Sequence, residues 1–272
     1  MWFKITLKKG WLFKLPKINK DSTLNITFVG IGLCLLCSAI ISFIAIQLRS
    51  VQENNVVLDM QKKIVSSAGL DEVYGSVENA MSNIKTLIID LDRGEIVDIN
   101  PDTYELSKEL REDGKYKFLS AEEDVASIKK REKYSKVYIE YKDNEINTLI
   151  LPVRGYGLWG ILYGYLAIEG DFNTVAGLEF YEHKETPGLG AEIDNPKWKA
   201  LWKGKKIYQE NGEVSLKVIK GSVMKTSDNF SYEIDGLSGA TLTCNGVSNL
   251  IAYWMGNDGF LNFINNLQKL DV

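Results

Sequence analysis

The chain has 272 residues, 45% hydrophobic and 25% charged, a balance that excludes a disordered or collagen-like polymer and leaves room for one large domain or two small ones. Its formal charge of −4, from 32 Lys+Arg against 36 Asp+Glu, is too small to imply a nucleic-acid partner. That mean conceals a split: the first 20 residues carry Lys4, Lys8, Lys9, Lys14, Lys17 and Lys20 with no acid, while the other 252 hold 26 bases and 36 acids.

What separates the basic tip from the acidic body is the run at 24–48, LNITFVGIGLCLLCSAIISFIAIQL, which contains no Asp, Glu, Lys, Arg or His. As a helix it would be roughly 37 Å long, enough to cross a ~30 Å hydrocarbon core with some tilt. The apolar run is too long for a cleaved signal peptide, too many residues precede it, and no small-x-small site precedes Arg49. It reads as an uncleaved transmembrane helix. Six lysines before the span and Arg49 alone just after it predict a cytoplasmic amino terminus and an extracytoplasmic body, in a cell membrane crossed once. Cys34 and Cys37, inside the span, are either small packing side chains or half of a metal or iron–sulfur site, because one Cys-x-x-Cys pair supplies two of four thiolates. Cys244 is the one thiol of the body, which excludes an internal disulfide there, and His183 is the single histidine, which makes zinc unpromising.

After the anchor, Val57, Met60, Ile64 and Ala68 recur at helical spacing and Gly69 supplies a stop, which predicts a stalk helix. TLIIDLD, a turn at Arg93-Gly94 and EIVDIN predict a strand pair. Residues 101–133 are charged and turn-rich, with helical spacing only in AEEDVASIKK, and read as a solvated insertion. KVYIEYK and INTLILPV, joined through Asp143-Asn144, predict a hairpin. In RGYGLWGILYGYLAIEG, Gly155, Gly157, Gly160 and Gly164 interleave with Tyr156, Trp159, Tyr163 and Tyr165, which would let another backbone or a flat ligand approach closely. TVAGLEFYEH is a further strand, 196–202 a short helix closed by Gly204, and 214–218 and 232–234 two more strands. Val247, Leu250, Ile251 and Trp254 then define one amphipathic helical face, and Phe260, Phe263, Ile264 and Leu267 a second, broken near 256–259. The class is α+β: one amino-terminal transmembrane helix, then an exported, mostly antiparallel sheet with packed helices.

The segment Asp235-Gly236-Leu237-Ser238-Gly239-Ala240-Thr241 lies between a strand and the start of a helix. Small residues leave backbone N–H groups open and the helix amino terminus adds positive potential, which suits a phosphate with the Thr241 hydroxyl beside it. The same residues also fit an ordinary helix start capped by Ser238 or Thr241. A third reading is a serine nucleophile, since GLSGA is one substitution from G-x-S-x-G, with His183 as the only available base. Tyr156, Trp159, Tyr163 and Tyr165 are either core or neighbours of a bound ring. His183 is a hydrogen-bonded loop residue or a donor near that ring. Glu182 and Glu185 are capping carboxylates or cation ligands.

DGLSGAT resembles the flavinylation motif of proteins to which a flavin transferase attaches FMN by a phosphodiester to threonine, and FYEHKETPGLGAEIDNPKWKALWKGK resembles the rest of that FMN-binding domain. With the anchor, the stalk ending SSAGL and the segment from LPVRGYG to FYEH, the chain resembles the C subunits of sodium-translocating NADH:quinone oxidoreductases, least so in 101–133. The resemblance implies covalent FMN on Thr241, with Thr243 its nearest rival. Asp235, Ser238, Gly239 and Ala240 would be read by the transferase and then cradle the phosphate. Glu185, Thr186, Pro187, Gly188, Leu189 and Gly190 would form a loop against the flavin. Cys244 departs from the small hydroxyl residue usual in the family. The implied organisation is a basic cytoplasmic tip at 1–23, a transmembrane helix at 24–48, a stalk and linker at 49–80 and the FMN-binding domain at 81–272. The implied role is an electron relay in a six-membered respiratory complex that also holds A, B, D, E and F subunits. Electrons from NADH would arrive through iron–sulfur centres and leave through FMN in the neighbouring B protein towards riboflavin and ubiquinone, and this chain alone would be inactive. The G subunit of an Rnf-type ferredoxin:NAD oxidoreductase shares both motifs, and a membrane-anchored, non-redox binding or sensor domain would leave Thr241 unmodified.

Overall fold

The computed structural model describes residues 22–270, so the six lysines of the tip lie outside the described residues. The chain divides into two compact units, Met1–Val56 and Val57–Val272. Helix α1 (Thr23–Ser67), which supplies the described part of the first unit and whose last turns belong to the second, begins where the Ser22 hydroxyl accepts from the Asn25 N–H. Its apolar side chains from Leu24 to Leu48 point outward on every side and none of that window is buried by protein. A helix apolar all round needs lipid or other helices about it, and this one is long and apolar enough to cross a membrane. The Arg49–Glu53 pair at 2.9 Å marks its first charged turn. No Gly or Pro interrupts α1 between Leu33 and Ser67, and Gly69, at φ 66°, closes it.

The second unit is built on a six-stranded sheet, all antiparallel, in the order β2-β1-β5-β6-β7-β8. Short helices α2 (Leu70–Tyr74) and α3 (Val77–Ser82) lead into β1 (Ile84–Asp90) and β2 (Glu95–Val97). Then come α4 (Leu106–Glu109), the ribbon β3 (Tyr116–Phe118) with β4 (Lys130–Glu132), and the long strands β5 (Tyr134–Lys142), β6 (Glu145–Tyr156), β7 (Ile161–Glu169) and β8 (Val175–Glu182). The predicted hairpin is β5–β6, and Asp143 and Asn144, both at positive φ, make the tight turn whose twist matches its strands. After α5 (Pro196–Lys199), β9 (Lys217–Val218) and β10 (Glu233–Ile234) pair in parallel, and α6 (Thr241–Trp254) and α7 (Leu261–Leu270) complete the unit.

Strand alternation sends side chains to both faces of the sheet, and both faces are covered. On one, Val137, Ile139, Leu149, Leu151 and Leu166 meet Val247, Leu250, Ile251 and Trp254 of α6 and Phe263, Ile264 and Leu267 of α7. On the other, Tyr138, Ile150, Tyr165 and Ala167 meet Ile64, Val65, Leu70 and Ala80. Double coverage explains why β6 and β7 read as nearly unbroken apolar runs. At the β8 edge, buried Glu179 accepts from Lys63 Nζ at 3.1 Å and Lys199 Nζ at 2.5 Å, tying the end of α1 and α5 to one carboxylate.

The reading of 101–133 as a solvated insertion is corrected. Ala126, Ile128, Arg131 and Glu132 are buried, and Arg131 and Arg154 are ion-paired with Asp92 and Glu132. The helical spacing in AEEDVASIKK is also overturned. Asp124 accepts from the N–H groups of Ile128 and Lys129, and Ser127 and Lys129 take positive φ, so the segment is a knot of turns leading into β4.

Candidate functional site

The chain leaves β10 at Asp235, which is held at both ends: its Oδ1 accepts from the Val223 N–H at 2.7 Å and its carbonyl from Trp198 Nε1 at 2.8 Å. The Gly236 N–H reaches the Gly221 carbonyl at 2.8 Å, and the Leu237 N–H points at Cys244 Sγ, 3.3 Å away; burial raises the pKa of this thiol and outweighs the Leu237 N–H, which lowers it. Gly239 turns the chain at φ 74°, a conformation that strains any residue with a Cβ. Helix α6 starts at Thr241, and the residue before it, Ala240, has no capping side chain. Neither Ser238 nor Thr241 supplies the cap that the sequence allowed. The N–H groups of the first turn therefore lack an intrahelical acceptor and lie at the positive end of a 14-residue helix.

The two candidate hydroxyls have opposite surroundings. Thr241 is exposed, whereas Thr243 is fully buried and donates to Glu185 Oε2 at 2.5 Å. Beside Thr241 opens a cleft of about 400 Å³ lined by Lys220, Gly221, Ser222, Leu237, Ser238 and Asn245, among others. Ser238 and Gly239 are exposed and Ala240 is buried.

The second motif arrives from β8. His183 Nδ1 accepts from the Glu185 N–H at 3.2 Å, so the ring proton sits on Nε2 and is donated to Asp194 Oδ2 at 2.8 Å. With both ring nitrogens so engaged, His183 is a loop brace and not a base for Ser238. Glu185 is buried with both oxygens hydrogen-bonded inside the protein, which leaves neither for a cation. Thr186, Pro187 and Gly188 form the exposed tip of the loop. Leu189 and Gly190 return to the helix start, where Gly239 faces Leu189 Cδ2 and Gly190 faces the Thr243 hydroxyl. The two motifs are thus in contact through Glu185, Leu189 and Gly190.

Around this junction several large apolar side chains face solvent: Trp159 is 61% exposed and Leu242 59%, with Tyr156, Leu158 and Leu189 also exposed. Of the aromatics in the glycine-rich stretch, Tyr156 and Trp159 lie at this end. Tyr165 lies on the opposite face of the sheet among Tyr138 and Tyr181, and Tyr163 stacks on Tyr181. Neither borders the site. The reason is strand parity: residues 163 and 165 of β7 share a face, and that face is covered by the α1 end and α2. Sequence reasoning missed Leu158, Leu242 and the role of Thr243. Leu242 carried a legible signal, since it stands off the stripe Val247, Leu250, Ile251 and Trp254 and so has no core to enter. Cys34 and Cys37 belong to the other unit, and among the described residues no group of three or more His, Cys, Asp and Glu is placed to hold a metal.

An exposed threonine at an uncapped helix start that lines an open cleft, in a unit whose neighbouring segments expose large apolar side chains, suits a phosphorylated aromatic cofactor, and residues 157–256 match the FMN-binding domain family. The chain is 46% identical over 256 residues to the C subunit of the Na(+)-translocating NADH-quinone reductase of Pseudomonas aeruginosa, covering 92% of this chain and 98% of that one. It is 41% identical over 246 residues to the protein of the same name from Vibrio anguillarum, covering 90% and 95%. The crystal structure of Shewanella oneidensis NqrC superposes with a TM-score of 0.70 at 30% identity, covering 77% of this chain and 96% of that one. The chain belongs to the family of Na(+)-translocating NADH-quinone reductase C subunits.

Proposed function

We propose that this protein carries electrons as the C subunit of a sodium-translocating NADH:quinone oxidoreductase, through FMN joined by a phosphodiester to Thr241. The observation that carries the attachment point is the contrast between Thr241, exposed at an uncapped helix start within DGLSGAT, and Thr243, buried and bonded to Glu185. The residues present fit the group. The open N–H groups at the start of α6 suit the phosphate, an interaction worth about 0.3–1 kcal/mol where the helix end is exposed. Lys220 and Asn245 line the adjoining cleft and offer further donors, and Trp159, Leu189 and Leu242 offer apolar surface for the ring. When bound, FMN supplies reversible electron transfer, while the chain supplies attachment, orientation and local polarity. Asp235, Ser238, Gly239 and Ala240 hold the phosphate end, and Glu185 to Gly190 the loop beside it. A covalent link makes retention independent of affinity on the extracytoplasmic side, the side that the charge asymmetry about α1 favours for this unit.

The A, B, D, E and F subunits of the complex are the partners in this reading, and a flavin transferase is needed for maturation. The relatives at 46% and 41% identity bear the reductase's name, which favours this reading over an Rnf G subunit. The test is flavin fluorescence of the denatured chain on a gel after coexpression with a flavin transferase. A bright wild-type band and a dark Thr241→Ala band are expected. A dark wild-type band, or a Thr241→Ala band as bright as wild type, would remove the attachment point.

A further inference from the structure

The carboxylate of Glu185 joins three separate segments. Its Oε1 accepts from the Leu158 and Trp159 N–H groups, each at 3.0 Å, and its Oε2 from the Thr243 hydroxyl at 2.5 Å. Its own backbone N–H is fixed by His183, which Asp194 holds in turn. The β6–β7 turn, the loop after β8 and the first turn of α6 therefore meet on one buried group. Two glycines make room for it: a Cβ at Gly157 would stand 2.7 Å from Glu185 Oε1, and one at Gly190 would stand 2.5 Å from Oε2. The turn so held is otherwise closed by one backbone bond, Gly157 N–H to the Gly160 carbonyl at 2.8 Å. It also displays Leu158 and Trp159, large apolar side chains that face solvent while their backbone N–H groups are both bonded to Glu185. Exposed apolar surface fixed in place in this way marks a contact surface prepared for a ligand.

We infer that Glu185 is the positioning residue of the flavin site, pinning the Leu158–Trp159 turn to the first turn of α6 so that this turn stands as a fixed wall for the ring of a flavin carried on Thr241. This rests on the function proposed above and deepens it. Glu185 acts without touching the cofactor, because both of its oxygens are taken by protein donors. What it controls is the order of the wall, and hence the asymmetry of the ring's surroundings. A glutamine can do the same work, since its carbonyl oxygen accepts from both N–H groups and its amide donates to the Thr243 oxygen. An alanine cannot, and leaves the buried Thr243 hydroxyl and the partly buried Leu158 and Trp159 N–H groups without that acceptor.

The experiment uses the full chain coexpressed with a flavin transferase, as wild type, Glu185→Ala, Glu185→Gln and Thr243→Val. Covalent flavin is measured on denatured protein, then visible circular dichroism and native flavin fluorescence per bound flavin. In Glu185→Ala, covalent flavin is retained while most of the visible dichroism is lost and native fluorescence rises, because quenching by Trp159 becomes intermittent. Glu185→Gln keeps both signals near wild type, and Thr243→Val, which removes one of the three bonds, falls between. Unchanged signals in Glu185→Ala overturn the proposal. So does a Glu185→Gln protein as impaired as Glu185→Ala, which would make charge the active property, and so does a folded Glu185→Ala chain that fails to acquire flavin. If Glu185→Ala does not fold, Thr243→Val decides: reduced dichroism supports the pin and an unchanged spectrum overturns it. A dark wild-type band overturns the flavin reading itself, and the pin with it.

Discussion

Thr241 and Thr243 differ by two positions and would be hard to rank from residue type alone, yet the helix places one outside and one inside. Exchange at Thr243 is therefore expected to cost stability and spare attachment. Thr243→Ala leaves Glu185 short of one donor and should lower the unfolding free energy by about 1–3 kcal/mol, read from denaturant midpoints, with the flavin band retained. Trp198 is a second residue whose role is specific. Its indole N–H holds the Asp235 carbonyl, so Trp198→Phe should cost about 0.5–1.5 kcal/mol and loosen the entry to the motif. Asp171 supplies a pH test. Partial burial raises the pKa of its carboxyl, but the Thr174 hydroxyl, the Thr174 and Asn173 N–H groups and Lys206 outweigh it and hold the value at about 2 against an ordinary 3.8. The folded value is the lower one, so this contribution is complete above about pH 4 and is lost as pH falls towards 2. The side chain is nearly half exposed, and with screening the contribution is about 1 kcal/mol at neutral pH. Asp171→Asn should be destabilised by that amount at pH 7 and match wild type near pH 2, in chemical denaturation at the two pH values.

Among elements, those with strong local periodicity were legible in the sequence. The stripes of α6 and α7 and the β5–β6 hairpin follow from spacing and from a turn of Asp and Asn, because each is specified within about twelve residues. The ribbon β3–β4 was not legible. Arg131 and Glu132 look like surface charges until Asp92, Arg154 and the Asp258 carbonyl are brought to them from distant parts of the chain. The same holds for the site: both motifs could be read, but the wall of Leu158, Trp159 and Leu242 depends on how β6, β7 and α6 meet. That meeting is close, since a Cβ at Gly246 of α6 would collide with the Tyr156 carbonyl. Gly246→Val should force the helix start away from the β6–β7 turn and destabilise the unit by about 1–3 kcal/mol or more, while Asn249→Ala, on the exposed side of α6, should stay within about 0.5 kcal/mol of wild type. Denaturant midpoints of the two variants compare them directly.

For the whole molecule, the charge split about the apolar part of α1 predicts a topology: lysines before the span, an acidic body after it. A phosphatase reporter joined after Val272 should be active in cells and a fluorescent cytoplasmic reporter at the same point dark; the reverse pattern would contradict the orientation. On the proposed topology, a flavin lost outside the cytoplasm could not be replenished from the cytoplasmic pool, so the proposed bond, and not affinity alone, would retain it. That bond is most directly tested by mass spectrometry of the proteolytic peptide holding Thr241, taken from protein coexpressed with a flavin transferase. The peptide should be heavier by one FMN less one water, with fragmentation placing the addition on Thr241. An unmodified peptide, or an addition on Thr243, would contradict covalent attachment at Thr241.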